Sequence, residues 1–158
     1  MSKDFSHFDE TGGISMVDVE RKRITHREAV AVATVRMKTE TLTKLIEQAL
    51  PKGDVLTTAK VAGVFAAKAT STLIPLTHPV PLNSIDITFD FDREAGTVEV
   101  RSIVNGDGKT GVEMEAMTAC AVAALTIYDM CKSAEKGITI ESLQLVRKSG
   151  GKSGLWER

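Results

Sequence analysis

Apolar and polar positions alternate, then wind, then alternate again along this chain. Residues 26–37 (HREAVAVATVRM) carry Val and Ala in a loose two-residue rhythm and predict a strand. Thr39 is placed to cap a helix through residues 41–50 (TLTKLIEQAL), which Pro51 and Gly53 end. A second helix starts at Asp54, with Ala59, Ala62, Phe65, Ala66 and Ala69 at helical spacing and small enough for close packing. Pro75, Pro79 and Pro81 then exclude regular helix. Ile85, Ile87, Phe89 and Phe91 alternate with Asp86, Thr88, Asp90 and Asp92, the clearest half-buried strand. A turn at residues 93–96 leads to a return strand around Val98 and Val100, so the pair forms an antiparallel hairpin. A glycine-rich loop at 105–111 (NGDGKTG) opens the longest helix, from about residue 112 to 136, stopped by Gly137. Residues 138–146 form a final strand, and a tail at 148–158 follows, for which a flexible terminus is slightly favoured on composition. Residues 1–25 show no sustained period and read as an irregular arm, in which the charge run 20–23 reads as solvated surface.

With the two early helices counted as one crossover layer, the order is β-α-β-β-α-β. That is the ferredoxin-like arrangement: α+β, an antiparallel sheet with helices on one face. A chain of 158 residues fits a single domain over 1–158.

Composition narrows the function classes. A net charge of -1 gives no global field to recruit nucleic acid or an anionic membrane, so a polyanion needs a local cluster of Lys and Arg. Aromatics at 4% are too few for a stacking platform on single-stranded nucleic acid. The polar N-terminus lacks the apolar stretch of a signal peptide, and no unbroken apolar run suits a membrane span. Cys120 and Cys131 fit no metal motif and read as buried thiols in a reducing cytoplasm.

Three regions offer chemistry. Glu115, Thr118, Val122, Leu125, Asp129 and Lys132 share one helix face, and the apolar setting of Asp129 and Lys132 suggests a partly buried pair. Against it stands the bland reading, a surface ion pair worth a few tenths of a kcal/mol. Lys148 and Lys152 bracket a Ser-Gly-Gly segment whose free N–H groups suit a phosphate chain. Neither this segment nor Gly108–Lys109–Thr110 is a P-loop, because the upstream glycine is replaced by Val146 and Ile103 respectively. Prolines flanking His78 fix its orientation, although a lone His is more often structural. Lys52, between Pro51 and Gly53, reads as a solvated side chain.

Several unusual strings carry a resemblance over nearly the whole chain: MVDV at 16–19, KGDV at 52–55, IPLTHP at 74–79, GKTGVEMEA at 108–116, ALTIYDMCK at 124–132 and KSGGKSG at 148–154. Together they resemble the molybdenum cofactor biosynthesis protein C family, the cyclic pyranopterin monophosphate synthases. One departure is Thr77, where that family commonly has Cys. The resemblance implies a cytoplasmic lyase acting on (8S)-3',8-cyclo-7,8-dihydroguanosine 5'-triphosphate and releasing diphosphate. It implies a homohexamer, a trimer of dimers, with no resident cofactor or metal, although Mg²⁺ accompanying the triphosphate stays open. Carried over by position, Asp129 and Lys132 become an acid–base pair, and Lys52 a further catalytic lysine. Leu76, Thr77, His78, Met114 and Glu115 become substrate-binding, with Glu113 as an addition. Lys148 and Lys152 are the candidate cations for the leaving diphosphate. Glu115 and Asp129 would stand about 21 Å apart along a straight helix. That is long for one reaction centre, so residues 76–78 and 113–115 of one subunit are expected to face Lys52, Asp129 and Lys132 of another.

Overall fold

The computed structural model describes residues 13–158. The first twelve residues of the expected arm lie outside the described residues. The elements are β1 (Thr25–Arg36), α1 (Thr39–Ile46), α2 (Val55–Leu73), β2 (Leu82–Asp92), β3 (Thr97–Gly108), α3 (Glu113–Cys131), β4 (Thr139–Ser149) and β5 (Trp156–Glu157). The sheet order is β2-β3-β1-β4-β5, with every neighbouring pair antiparallel. The first four strands give the ferredoxin-like order, and β5 adds a short strand beyond β4.

The two-residue rhythm of β1 sends Ala29, Ala31, Ala33 and Val35 into the core, facing inward beside Val98, Val100, Ser102 and Val104 of β3. Small residues on the central strand let α3 lie close to the sheet. Its Ala116, Ala119, Cys120, Ala123, Ala124 and Ile127 are fully buried. Two polar ties fix the approach: Ser102 Oγ donates to the Ala116 carbonyl at 2.7 Å, and Cys120 Sγ to the Val100 carbonyl at 3.1 Å. Burial pushes the Cys120 thiol up to about 12 and the Cys131 thiol to about 11, so both are inert.

Several local expectations need correction. Thr39 is the first helical residue of α1, not its cap; Lys38 holds that position without a side-chain bond, and its N–H donates to Glu135 Oε2 at 2.9 Å. The helix stops before Pro51, because Gln48 adopts φ 56° and Ala49 N–H reaches back to the Lys44 carbonyl, a Schellman closure. Asp54 does cap α2, accepting from Thr57 N–H and Thr57 Oγ1, and these bonds hold its carboxyl below the usual range. The buried face of α2 is Ala59, Gly63, Ala66, Ala67 and Thr70, so Phe65 points outward and is 68% exposed. Residues 105–108 belong to β3 rather than to a loop, because β1 pairs them through to Thr25. α3 ends at Cys131, and α2 equals it in length at 19 residues. The tail returns as β5, pairing Trp156 and Glu157 with Lys148 and Arg147, so it is a folded hairpin. α3 is long and apolar enough to cross a membrane by length and mean hydropathy, because its alanines and methionines raise the hydropathy without forming an unbroken apolar run. In the fold that apolar side packs on the sheet and on α2.

Among the described residues, one acidic side chain is buried. Glu115, in the first turn of α3, is only 4% exposed, and burial raises its carboxyl above the ordinary range.

Two substitutions test this packing. A Cβ on Gly63 would overlap Ile87 Cδ1 and stand 2.8 Å from the Ala119 carbonyl oxygen. Alanine gains roughly 1 kcal/mol of helix propensity, but the backbone carbonyl cannot yield, and overpacking costs about 1–3 kcal/mol. Gly63→Ala should therefore lower the urea midpoint with an unchanged m-value. Glu115→Gln should act in the other direction. A carboxyl whose folded pKa is raised stabilises the fold fully below its unfolded pKa, and this stabilisation is lost as pH rises through the folded pKa. The Gln variant should therefore melt above the parent at about pH 8, with the difference closing towards about pH 4.

Candidate active site

α2 ends at Leu73, and the chain turns extended at Ile74. Thr77 closes the following turn, with its N–H and Oγ1 both donating to the Ile74 carbonyl at 3.2 and 2.9 Å. The Thr77 hydroxyl thus serves the loop. This turn delivers Leu76, Thr77 and His78 beside the start of α3. With Glu113, Met114 and Glu115 they line one cavity of about 360 Å³, completed by Val17, Val19, Lys22, Thr110 and Gly111. Six of the eight residues expected to bind substrate are therefore brought together in this cavity, Lys148 and Lys152 lying outside it.

A second cavity of about 740 Å³ shares Lys22, Thr110, Gly111 and Glu113 with the first. Its wall carries Arg23, Arg27, Lys109, Lys148 and Lys152 as well as Lys22, six cations against the single carboxylate of Glu113. Arg27 lies under the tail loop. Gly150 and Gly151 have φ 99° and 68°, and a Cβ on Gly151 would collide with the Arg27 guanidinium. Arg27 Nη1 donates to the Gly150 carbonyl at 3.2 Å, while Arg27 Nε and Thr25 Oγ1 are buried without a protein partner. Six cations around one cavity suit an oxyanion ligand. Glu113 accepts from Lys148 Nζ at 2.8 Å.

Lys22, Arg23, Thr25, Arg27 and Lys109 were not singled out from the sequence, and the run 20–23 read as a solvated face. They meet because the start of β1 pairs with the end of β3 and lies beside the end of β4. The available signals were three basic residues close together in the chain, Lys22, Arg23 and Arg27, and Lys109 inside a glycine-rich segment.

The remaining three residues form a separate cluster. Asp129 Oδ1 accepts from Lys132 Nζ at 2.7 Å, and Oδ2 from Lys52 Nζ at 3.1 Å. Lys52 also donates to the Asp129 carbonyl at 2.8 Å. Hydrogen bonds from Lys132 and then Lys52 hold the Asp129 carboxyl below the ordinary range, and Asp129 raises Lys132 in turn. The expected partial burial of this pair is corrected: the Asp129 and Lys132 side chains are 56% and 50% exposed in the single chain. They lie on the outer flank of α3 beyond its apolar stripe. None of the three lines the two cavities, which sit at the other end of α3, about 21 Å away at 1.5 Å per residue. Among the described residues no group of three His, Cys, Asp or Glu side chains is arranged to hold a metal.

Comparison with known proteins identifies the family. The model of the MoaC family matches residues 16–151. A cyclic pyranopterin monophosphate synthase of Geobacter sulfurreducens is 55% identical over 154 residues, covering 98% of this chain and 96% of its own. Synthases of the same name from Desulfatibacillum aliphaticivorans and Thermoanaerobacter pseudethanolicus are 52% and 51% identical, each over at least 95% of both chains. The chain belongs to the MoaC family.

Proposed function

We propose that this chain converts (8S)-3',8-cyclo-7,8-dihydroguanosine 5'-triphosphate to cyclic pyranopterin monophosphate and diphosphate, in a site shared between two copies. The observation that carries this is the junction of two cavities, one lined by the 76–78 and 113–115 segments, the other by six cations. The smaller cavity suits the ring system being rebuilt, with the His78 imidazole and the Glu115 carboxyl against it. The larger suits the triphosphate, whose charge Lys148, Lys152 and their neighbours offset as diphosphate departs. The reading asks for no resident cofactor and leaves Mg²⁺ as a companion of the triphosphate in solution.

Ring opening and closure require proton transfers, and the cluster of Lys52, Asp129 and Lys132 supplies them. A carboxylate bonded on one oxygen to Lys132 and on the other to Lys52 holds both side chains in fixed positions. For this cluster to reach the cavities, a second copy must bring it. The outer flank of α3 runs through Met114, Thr118, Val122, Leu125 and Asp129, and Leu125 is 56% exposed there. Residue 122 is the midpoint of 115 and 129. Two α3 helices packed antiparallel about Val122 would therefore set Asp129 of one copy opposite Glu115 of the other. Further assembly of such pairs into a hexamer, in the cytoplasm, is part of the same proposal.

Incubation of the protein with the cyclised dihydro-GTP should yield a pterin, fluorescent after oxidation, and one equivalent of diphosphate. Release of orthophosphate instead would refute the assignment. Asp129→Asn should lower kcat by about 10²–10⁴-fold with little change in KM. Its melting temperature should stay near that of the parent, since an exposed pair contributes little stability. A large loss of stability would point to a structural cluster.

A further inference from the structure

Glu113 is the one acidic side chain on a cavity wall that carries six cations. Its placement is built in by three features. It is the first residue of α3, so it stands where the loop 109–112 meets the helix. Its carboxylate folds back over that loop into the space beside Gly111, where a Cβ would overlap it as now placed. It then accepts from Lys148 Nζ at 2.8 Å, with both side chains about seven-tenths covered. Glu113 also borders the smaller cavity, so the carboxylate lies across the junction of the two.

We propose that Glu113 is a resident counter-ion, occupying an anion position of the cationic cavity when no phosphate is there and competing with diphosphate for Lys148. This rests on the reading that the cationic cavity takes the triphosphate. The physical argument is one of exchange. Without Glu113, Lys148 would face five other cations, and their mutual repulsion would splay the cavity open. With it, Lys148 is held in place by one carboxylate. An arriving triphosphate spreads its charge over several of the cations, so it can displace a single carboxylate from a single lysine. The diphosphate left after cyclisation is smaller and keeps fewer of those contacts. Against this weaker ligand, re-pairing of Glu113 with Lys148 favours departure. Glu113 is thus a positioning residue that acts through Lys148, setting product affinity and not proton transfer.

The test is calorimetric titration of the full chain with inorganic diphosphate, in EDTA at fixed ionic strength. The parent is compared with Glu113→Gln, Lys148→Met and the double variant, with circular dichroism confirming the fold. Gln keeps the size and hydrogen-bonding reach of the side chain but removes the charge, so Glu113→Gln should bind diphosphate roughly tenfold tighter. In the Lys148→Met background the same change should give at most a small gain, because the competition has no object. Unchanged or weaker diphosphate binding by Glu113→Gln overturns the counter-ion role and leaves the cavity reading standing. An equal gain in both backgrounds overturns the exchange through Lys148. If diphosphate binds neither the parent nor any variant, the cavity reading falls, and the inference with it.

Discussion

α3 cannot fold back on itself, and its buried stripe holds it straight. Ala116, Ala119, Cys120, Ala123, Ala124 and Ile127 lie against the sheet with no exposed surface. Gly63 of α2 presses so closely from the side that a methyl group there would overlap Ile87. A helix fastened along its length keeps its ends apart. Glu115 at one end and the Lys52–Asp129–Lys132 cluster at the other are therefore separated by roughly 21 Å whatever the side chains do. The proposed shared site follows from this: it draws one half from each end of a rigid rod, and a second rod, reversed, brings the halves together.

The two ends differ in electrostatic character. At the start of α3, a chain of near-neutral net charge gathers six cations around one cavity, with Thr25 and Arg27 contributing buried groups that have no protein partner. The clustered positive charge attracts an anion. At the other end, the charges already satisfy one another, since Asp129 takes one lysine on each oxygen. One end is poised to bind and the other to hold protons in place. Glu115 belongs to the binding end yet is buried, so the fold gives up some stability to keep a carboxyl against the substrate cavity.

Much of this was legible in the chain. The alternation from Ile85 to Phe91 announced the hairpin, Asp54 announced the start of α2, and the proline-flanked His78 announced a rigid loop. What escaped was whatever depends on pairing register or helix rotation. Arg27 looks like any strand residue until β1 is paired with β3 and the tail loop closes over its guanidinium. Phe65 shares its helical spacing with the buried alanines, but the helix is turned so that Gly63 faces in and Phe65 out. Residues 105–108 look like loop because glycine and aspartate rarely build strands, yet pairing with Thr25 to Glu28 overrides that propensity. The Lys52–Asp129 contact spans 77 positions and exists only because α2 and α3 pack together. The tail differs for a related reason: its glycines read as flexibility, whereas Gly150, Gly151 and Gly154 supply the positive φ that turns β4 into β5.

The central claim is that neither end of α3 works alone. It is tested most directly by mixing two inactive proteins, one carrying His78→Ala in the cavity half and one carrying Asp129→Asn in the cluster half. After reversible dissociation and reassociation, half of the pairs combine one chain of each kind, and each such pair holds one site with both halves intact. The mixture should then recover about a quarter of the parental activity. If activity stays at the level of the separate variants although mixed pairs are shown to form, each chain's site is its own, and the account is wrong.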